Sequence, residues 1–372
     1  MGRSGWQALR DDPWLLALVV WLPPLLTGLF IAVFASGLPR DLPVTVVDLD
    51  HSTASRALLR QLDASPALDT AHARASVKEG AFALRTGDSL ALLVIPEHFE
   101  KDVRRGLSPR VEAYYNAQYL LAGKFIASAL QESGADFAAH AGAAQRLAAG
   151  QHMPEVLAAV APVRPQITAL YNPAMSYARF LVTAIAPAVW QILIVTAMVL
   201  LLSRQLQREG LPESGPRRWR LLLRWCLPLT LVYWVQGLLM LGLFRHFVGW
   251  VPAGSVLILV PALLFTVLAV QSIALMILAL APDTVRALSL CAAYLAPAFA
   301  FMGITFPRGD MPALAVFWGN LMPSTHYVQL QVAVGDHAAP WSALWPSLLV
   351  LLLFLLPLPL ALRALPSRMV AS

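Results

Sequence analysis

The stretch Phe301–Val328 reads FMGITFPRGDMPALAVFWGNLMPSTHYV. It is apolar enough for a membrane, yet it cannot be one straight spanning helix. Pro307, Pro312 and Pro323 each remove a backbone donor and break a helix. Gly303 and Gly309 loosen the backbone, and Arg308 and Asp310 set two charges between the breaks. Interrupted backbone at membrane depth is tolerated only where protein or a water-filled cavity covers it. The stretch therefore predicts a helix end at Gly303, a turn through Pro307, and short helices that dip back into the bilayer edge. An ordinary exposed loop is the plainer alternative. Met311, Trp318, Met322 and Tyr327 weigh against it, because such an apolar cluster is costly in water.

Outward from this stretch, composition says the same of the whole chain. Of 372 residues, 58% are hydrophobic and 13% charged, whereas soluble domains run near a quarter charged. A span needs about 20 mostly apolar residues, and six runs qualify: Trp14–Ala35, Ala178–Leu202, Trp225–Val248, Gly254–Ala281, Leu288–Thr305 and Ala343–Leu362. The first run is too long for a signal-peptide core and is expected to stay as an anchor. Between the first two runs lies a polar segment of about 140 residues, long enough for one domain with its own core.

Charge fixes an expected orientation. Residues 36–172 carry 13 basic and 14 acidic side chains, against 14 and 7 in the remainder. Apart from Arg179, Arg245 and Arg308, which are expected toward the outer side, the basic residues of the remainder cluster beside the spans: Arg3 and Arg10; Arg204, Arg208, Arg217, Arg218, Arg220 and Arg224; Arg286; Arg363 and Arg368. The positive-inside rule puts these in the cytoplasm. Both termini are then inside and the polar segment is outside. A nucleic-acid partner is not expected, since the arginines follow the spans and not one exposed face. Cys226 and Cys291 both fall in spans, so no disulfide supports the outer segment.

Several motifs carry a resemblance. Gly303, Phe306-Pro307, Met311-Pro312, Pro323 and Tyr327 resemble the G-x-x-FP-x-x-x-MP…P-x-x-x-Y signature of ABC-2 type transporter permeases, the membrane subunits of a class of bacterial ABC exporters. Arg10–Pro13 followed by Pro23-Pro24, and Tyr171-Asn172-Pro173 ahead of the second span, are similar to that family's pattern as well. In the cytoplasmic loop Ser203–Trp225 the match is partial. Gln205 and Gln207 stand where acids are usual, then come Arg208-Glu209-Gly210 and no threonine. The resemblance implies a polytopic α-helical protein of six transmembrane helices, with re-entrant outer helices between spans five and six. An α/β extracytoplasmic domain lies between spans one and two. Residues 1–35 are then an interfacial helix and first span, 36–172 a periplasmic domain, and 173–372 a five-span domain with coupling loop 203–225 and re-entrant region 303–328. In the amphipathic N-terminal helix, Trp6 and Leu9 are expected on lipid.

The outer segment alternates strand and helix. Pro43–Asp48, Leu68–Ala73, Leu90–Ile95, Arg110–Tyr115 and Val163–Leu170 read as strands. Ala54–Leu62, Ser76–Arg85 and Glu97–Arg105 read as helices, with Ser76 and Glu79 as a capping box and Gly87 as the stop. An Ala-rich helix follows over Gln118–Ala149, with Gly134 as a point of interruption. Such alternation favours a partly parallel sheet. Asp48, Asp50, His51 and Ser52 invite a catalytic or metal reading. Triads are assembled from distant segments, so a helix cap explains these neighbours with fewer assumptions. His72, His98, His140 and His152 lack metal-ligand spacing.

Spans two, three and four each hold one glutamine, Gln191, Gln236 and Gln271, which either line a pathway or join helices. No acid, lysine or histidine lies deep in a span, so ion-coupled transport is not expected. The chain has no phosphate-cradling loop, since Gly123-Lys124 lacks the upstream glycine and runs into Phe125. It is expected to hold no cofactor of its own, with ATP and Mg bound by a partner ATPase subunit. The resemblance further implies a second permease copy or paralogue (a homodimer or heterodimer), a periplasmic adaptor and membrane lipids as partners. Substrates would be drugs, lipids or other amphipathic molecules exported across the inner membrane. The competing reading is a membrane-anchored receptor or scaffold, which needs only one or two anchors. For coupling to the ATPase the candidates are Arg204, Arg208, Glu209, Arg217 and Arg218, with Leu206 and Leu211 filling an apolar groove on the partner.

Overall fold

The computed structural model describes residues 4–35, 40–153, 156, 170–172 and 176–368. The chain divides into two compact units, Leu38–Thr168 and the remainder. Among the described residues six helical segments are long and apolar enough to cross a membrane: Pro13–Val33, Tyr177–Arg208, Pro216–Val248, Val256–Leu280, Thr284–Phe301 and Trp341–Ala364. We call them spans one to six. The chain is thus a polytopic helical membrane protein. Spans two and four are buried along most of their length, whereas one, five and six are largely exposed.

The spans differ in detail from the hydropathy reading, for local reasons. Span two runs to Arg208, six residues past the apolar run, with Ser176 capping its start through Arg179 N–H. Span five begins at Thr284 because Asp283 caps it, and it turns at Ala296–Pro297 before a last short helix Ala298–Phe301. Span six is interrupted over Phe354–Pro357 and resumes as Leu358–Ala364.

In spans one and two, prolines free backbone carbonyls, and in each the repair comes from elsewhere in the chain. Pro23 and Pro24 lack the N–H groups that would bond Val19 O and Val20 O four residues back. The helix widens to a π turn over Ala17–Trp21, and Gln236 Nε2 of span three donates to both carbonyls, at 2.6 and 3.3 Å. Pro187 likewise frees Thr183 O in span two, and Gln331 Nε2 donates to it at 3.1 Å. A lipid environment supplies no water for such groups, so these amides satisfy carbonyls that would otherwise stand alone.

The second unit is a four-stranded sheet with its helices. The strands are β1 (Leu42–Asp48), β2 (Leu68–Ala73), β3 (Ala91–Ile95) and β4 (Glu112–Tyr115), in the order β2-β1-β3-β4. β1 pairs parallel with β2 and β3, and β4 runs antiparallel to β3. β3 is buried on both faces, as central parallel strands are. Ala91, Leu93 and Ile95 join a core with Leu58, Leu62 and Phe99, while Leu92 and Val94 face Ala81 and Leu84 of helix Val77–Thr86. That helix lies close because a Cβ at Gly80 would sit 2.5 Å from Leu92. Gly87, at φ 82°, ends it.

Several boundaries move. The helix expected from Glu97 starts at Phe99, because His98 takes a left-handed φ of 64°. The last strand begins at Glu112, not Arg110. Only half of the capping box forms at Ser76, since Glu79 reaches Ala75 N–H instead. Helix Leu120–Ala148 passes through Gly134 without interruption. The strand expected over Val163–Leu170 falls outside the described residues, except for Leu170, which lies in no strand.

Candidate functional site

The arginine-rich end of the membrane unit is built from three separated pieces of chain. Helix Gly5–Arg10 packs on span three so closely that a Cβ on Gly5 would lie 2.4 Å from Trp225 O. Leu9 is buried there and not on lipid, which corrects its expected placement, while Trp6 is half exposed. Asp12 caps the start of span one through Leu15 N–H. It also forms an ion pair with Arg204. One coupling candidate is thus already paired within the chain.

Span two ends at Arg208, and Gly210 (φ 68°) turns the chain. Leu211 N–H then donates to Ser367 O at 2.7 Å, tying the loop to the C-terminal segment. Arg218 is buried. Its guanidinium donates to Pro212 O, Leu362 O, Arg363 O and Leu365 O. Three of those carbonyls lie at the end of span six and the fourth in the loop ahead of span three, so Arg218 acts as an internal clamp and not as a contact for a partner. Leu206 and Leu211 are buried in the chain's own core as well and do not reach a partner's groove. Arg208 and Arg217 remain exposed. Arg217 borders a hollow of about 390 Å³ with Glu209, Leu221 and Arg368.

The stretch after span five is helical, not an ordinary loop. Gly303, at φ 93°, ends the short helix Ala298–Phe301 and gives room to Arg308, whose Cγ would lie 2.4 Å from a Cβ there. Phe306 is half exposed, and Pro307 leads into a 3-10 turn at Arg308–Asp310. Met311 is extended, and Pro312 caps helix Ala313–Asn320. Arg308 folds back to the end of that helix, donating to Val316 O and Asn320 Oδ1. Pro323 opens helix Pro323–Gly335, in which ten of thirteen residues are buried, Tyr327 among them. This helix lies against spans two and four: Ser324 N–H donates to Gln191 Oε1 at 2.9 Å, and Gly254 N–H to Val334 O at 2.9 Å. At its far end Asp336 and Arg179, both half-buried, form an ion pair at 2.6 Å.

The model of the family described as ABC-2 family transporter protein matches residues 13–361. The chain belongs to this family. A search of curated proteins found no match. As an ABC-2 family member the chain is a membrane transport subunit, and membership implies pairing with an ABC ATPase subunit.

In this ABC-2 chain the three span glutamines each bond another segment. Gln191 supplies an acceptor to the uncapped start of helix Pro323–Gly335, Gln236 bridges to span one, and Gln271 Oε1 accepts from Thr230 of span three at 2.8 Å. All three are buried. Sequence reasoning missed Gln331 and the partnership of glutamine with proline. The signal was available: each proline inside a span names the carbonyl four residues earlier that needs a donor.

The Asp48–Ser52 cluster is a set of caps. Ser52 Oγ accepts from Ser55 N–H, and Asp48 accepts from Asp50 N–H, His51 N–H and the Ser55 hydroxyl. Asp50 Oδ2 accepts Glu100 N–H at 2.9 Å and so caps helix Phe99–Arg104 from across the fold, where His98 provides no side-chain cap. Burial alone would raise the Asp50 carboxyl, but the Ser52 side chain and the N–H groups of Glu100, Phe99 and His98 outweigh it and hold its pKa below the usual carboxylate value. Among the described residues no three His, Cys, Asp or Glu side chains come together as metal ligands.

Proposed function

We propose that this ABC-2 chain is the permease subunit of an ATP-driven exporter of the bacterial inner membrane. It moves a drug, lipid or other amphipathic molecule outward and is powered by a separate ATPase subunit that binds ATP and Mg. The family match over residues 13–361 carries the reading. The arginine-rich end faces the cytoplasm and meets the ATPase, the α/β unit is periplasmic, and a second copy or a related permease completes the pathway. Helices Ala313–Asn320 and Pro323–Gly335 serve as the re-entrant outer elements. The broken backbone between them and the burial of Pro323–Gly335 support that role, since irregular backbone at membrane depth needs cover by protein.

For coupling, exposed Arg208 at the end of span two and exposed Arg217 at the start of span three are the better candidates, because Arg204 and Arg218 are engaged within the chain. Arg208 and Arg217 present charge to a partner surface, where charge-assisted bonds are strong, and Glu209 adjoins Arg208 in sequence. The test replaces Arg208 and Glu209 with alanine in the assembled transporter. Expression and membrane insertion should stay at parent level, while ATP hydrolysis stimulated by substrate should fall about ten-fold, equivalent to one charge-assisted bond. Parent-like hydrolysis and export would mean that the ATPase pushes elsewhere, with the helix Gly5–Arg10 next to be tried.

A further inference from the structure

The α/β unit contains a hollow of about 510 Å³ between its sheet and the long helix Leu120–Ala148. Its floor is Leu58, Leu62, Leu93 and Phe99, all buried. Its opposite wall is the long helix, where Gly134, Ala138 and Ala141 fall on one face at spacings of four and three, with Leu130 and Phe137 beside them. The third side is the loop Gly106–Val111, which Gly106 (φ 76°) turns away from helix Phe99–Arg104. Gln145 Nε2 donates to Val103 O and holds the long helix against that element. The polar side chains of the lining are Ser108, Gln131 and Gln145.

The volume is that of a small-molecule site, about 300–1,000 Å³. Water has few bonds to make along an apolar floor, so an alkyl chain is the better occupant. Charge then selects the head group. Arg105 directly precedes the loop and Arg110 sits within it between the lining residues Pro109 and Val111; both are exposed, and neither has an ion pair among the described residues, though Arg105 also borders a second hollow with Glu100 and Lys101.

We propose that this hollow binds a single-chain anionic amphiphile. The alkyl chain lies on Leu58, Leu62, Leu93 and Phe99, and the anionic head meets Arg105 and Arg110. A fatty-acid carboxylate and a lysophospholipid phosphate present the same chemistry. Binding at this unit is read without transport, so the proposal stands or falls separately from the export reading.

The experiment uses the full chain in lipid nanodiscs and two photoreactive probes, palmitate and lysophosphatidylglycerol, each with a diazirine at the chain terminus. After irradiation the labelled peptides are mapped. Label is expected within residues 93–113 and 130–145 from one probe or both, displaced by unlabelled palmitate, and the stronger probe identifies the head group. The blocking variant is Gly134→Phe. A Cβ at Gly134 meets nothing within 4 Å, so the ring enters the hollow, and losing a mid-helix glycine favours the helix. Label at these peptides should drop at least ten-fold while background label on the spans stays the same. The double variant Arg105→Glu/Arg110→Glu should reduce it about ten-fold, yet leave labelling by an uncharged diazirine alcohol intact. Label confined to the spans, or cavity label that Gly134→Phe does not reduce, would overturn the proposal.

Discussion

Arg217 and Arg218 are adjacent residues with opposite surroundings. Arg217 is exposed, whereas Arg218 is buried with its guanidinium among four backbone carbonyls. Removing Arg218 strands those carbonyls, and hydrogen bonds to a charged group are worth about 1.5–3 kcal/mol. Arg218→Ala should therefore lower the stability of the purified chain by about 3 kcal/mol, seen as a fall in its thermal midpoint. Arg218→Lys should recover only part, because an ammonium cannot reproduce the planar fork. Arg217→Ala should leave the midpoint unchanged; equal effects at the two positions would refute the clamp. The distinction was legible. Arg218 shares a helical face with Leu222, Trp225 and Leu229, all buried, but a topology argument that treats every arginine as an anchor passes over helical phase.

At the scale of elements, caps and turns were readable because they are local. Ser52 and Ser76 mark helix starts within a residue or two, and Gly87 and Gly303 mark ends by their left-handed backbone. What escaped was supplied from a distance. Helix Phe99–Arg104 has its cap in Asp50, fifty residues earlier. This gives the helix a pH dependence of fixed sign. A carboxyl whose folded pKa is depressed contributes stability that is complete above its unfolded value, here 3.8, and is lost as pH falls through the lower folded one. Asp50→Asn should cost about 1 kcal/mol of protection at neutral pH, as cap losses do. Amide hydrogen exchange at Glu100, compared between parent and variant at matched pH, should show the difference shrinking below about pH 4 and vanishing once the parent carboxyl is protonated. A difference that persists unchanged into strong acid would show that charge plays no part. The proline–glutamine partnerships are distant in the same way: Pro187 names Thr183 O as unsatisfied, but only the packing of Pro323–Gly335 on span two identifies Gln331 as its donor.

For the whole molecule, hydropathy delivered six spans and one inserted domain, since both follow from run length. The breaks in spans five and six did not come through, because a sliding apolar window is blind to Pro297 and Pro357. Orientation rests on arginine asymmetry and has a direct test. Glu97 and Ser214 are both exposed. With a membrane-impermeant maleimide, Glu97→Cys should react in cells with a permeabilised outer membrane. Ser214→Cys should react only once the inner membrane is opened. The reverse pattern would invert the topology, and reaction of both from outside would rule out six spans.

The widened turn in span one has a consequence for biogenesis. A ribosome makes Val19 and Val20 early, and the amide that satisfies their carbonyls arrives 217 residues later, with Gln236. At about 5–20 residues per second, the interval is roughly 10–40 s. Through that time the nascent first helix cannot rest in lipid alone without two bare carbonyls, each costing several kcal/mol. It must wait beside the insertion machinery or another wet surface, and its release into the bilayer is timed by the arrival of the third helix.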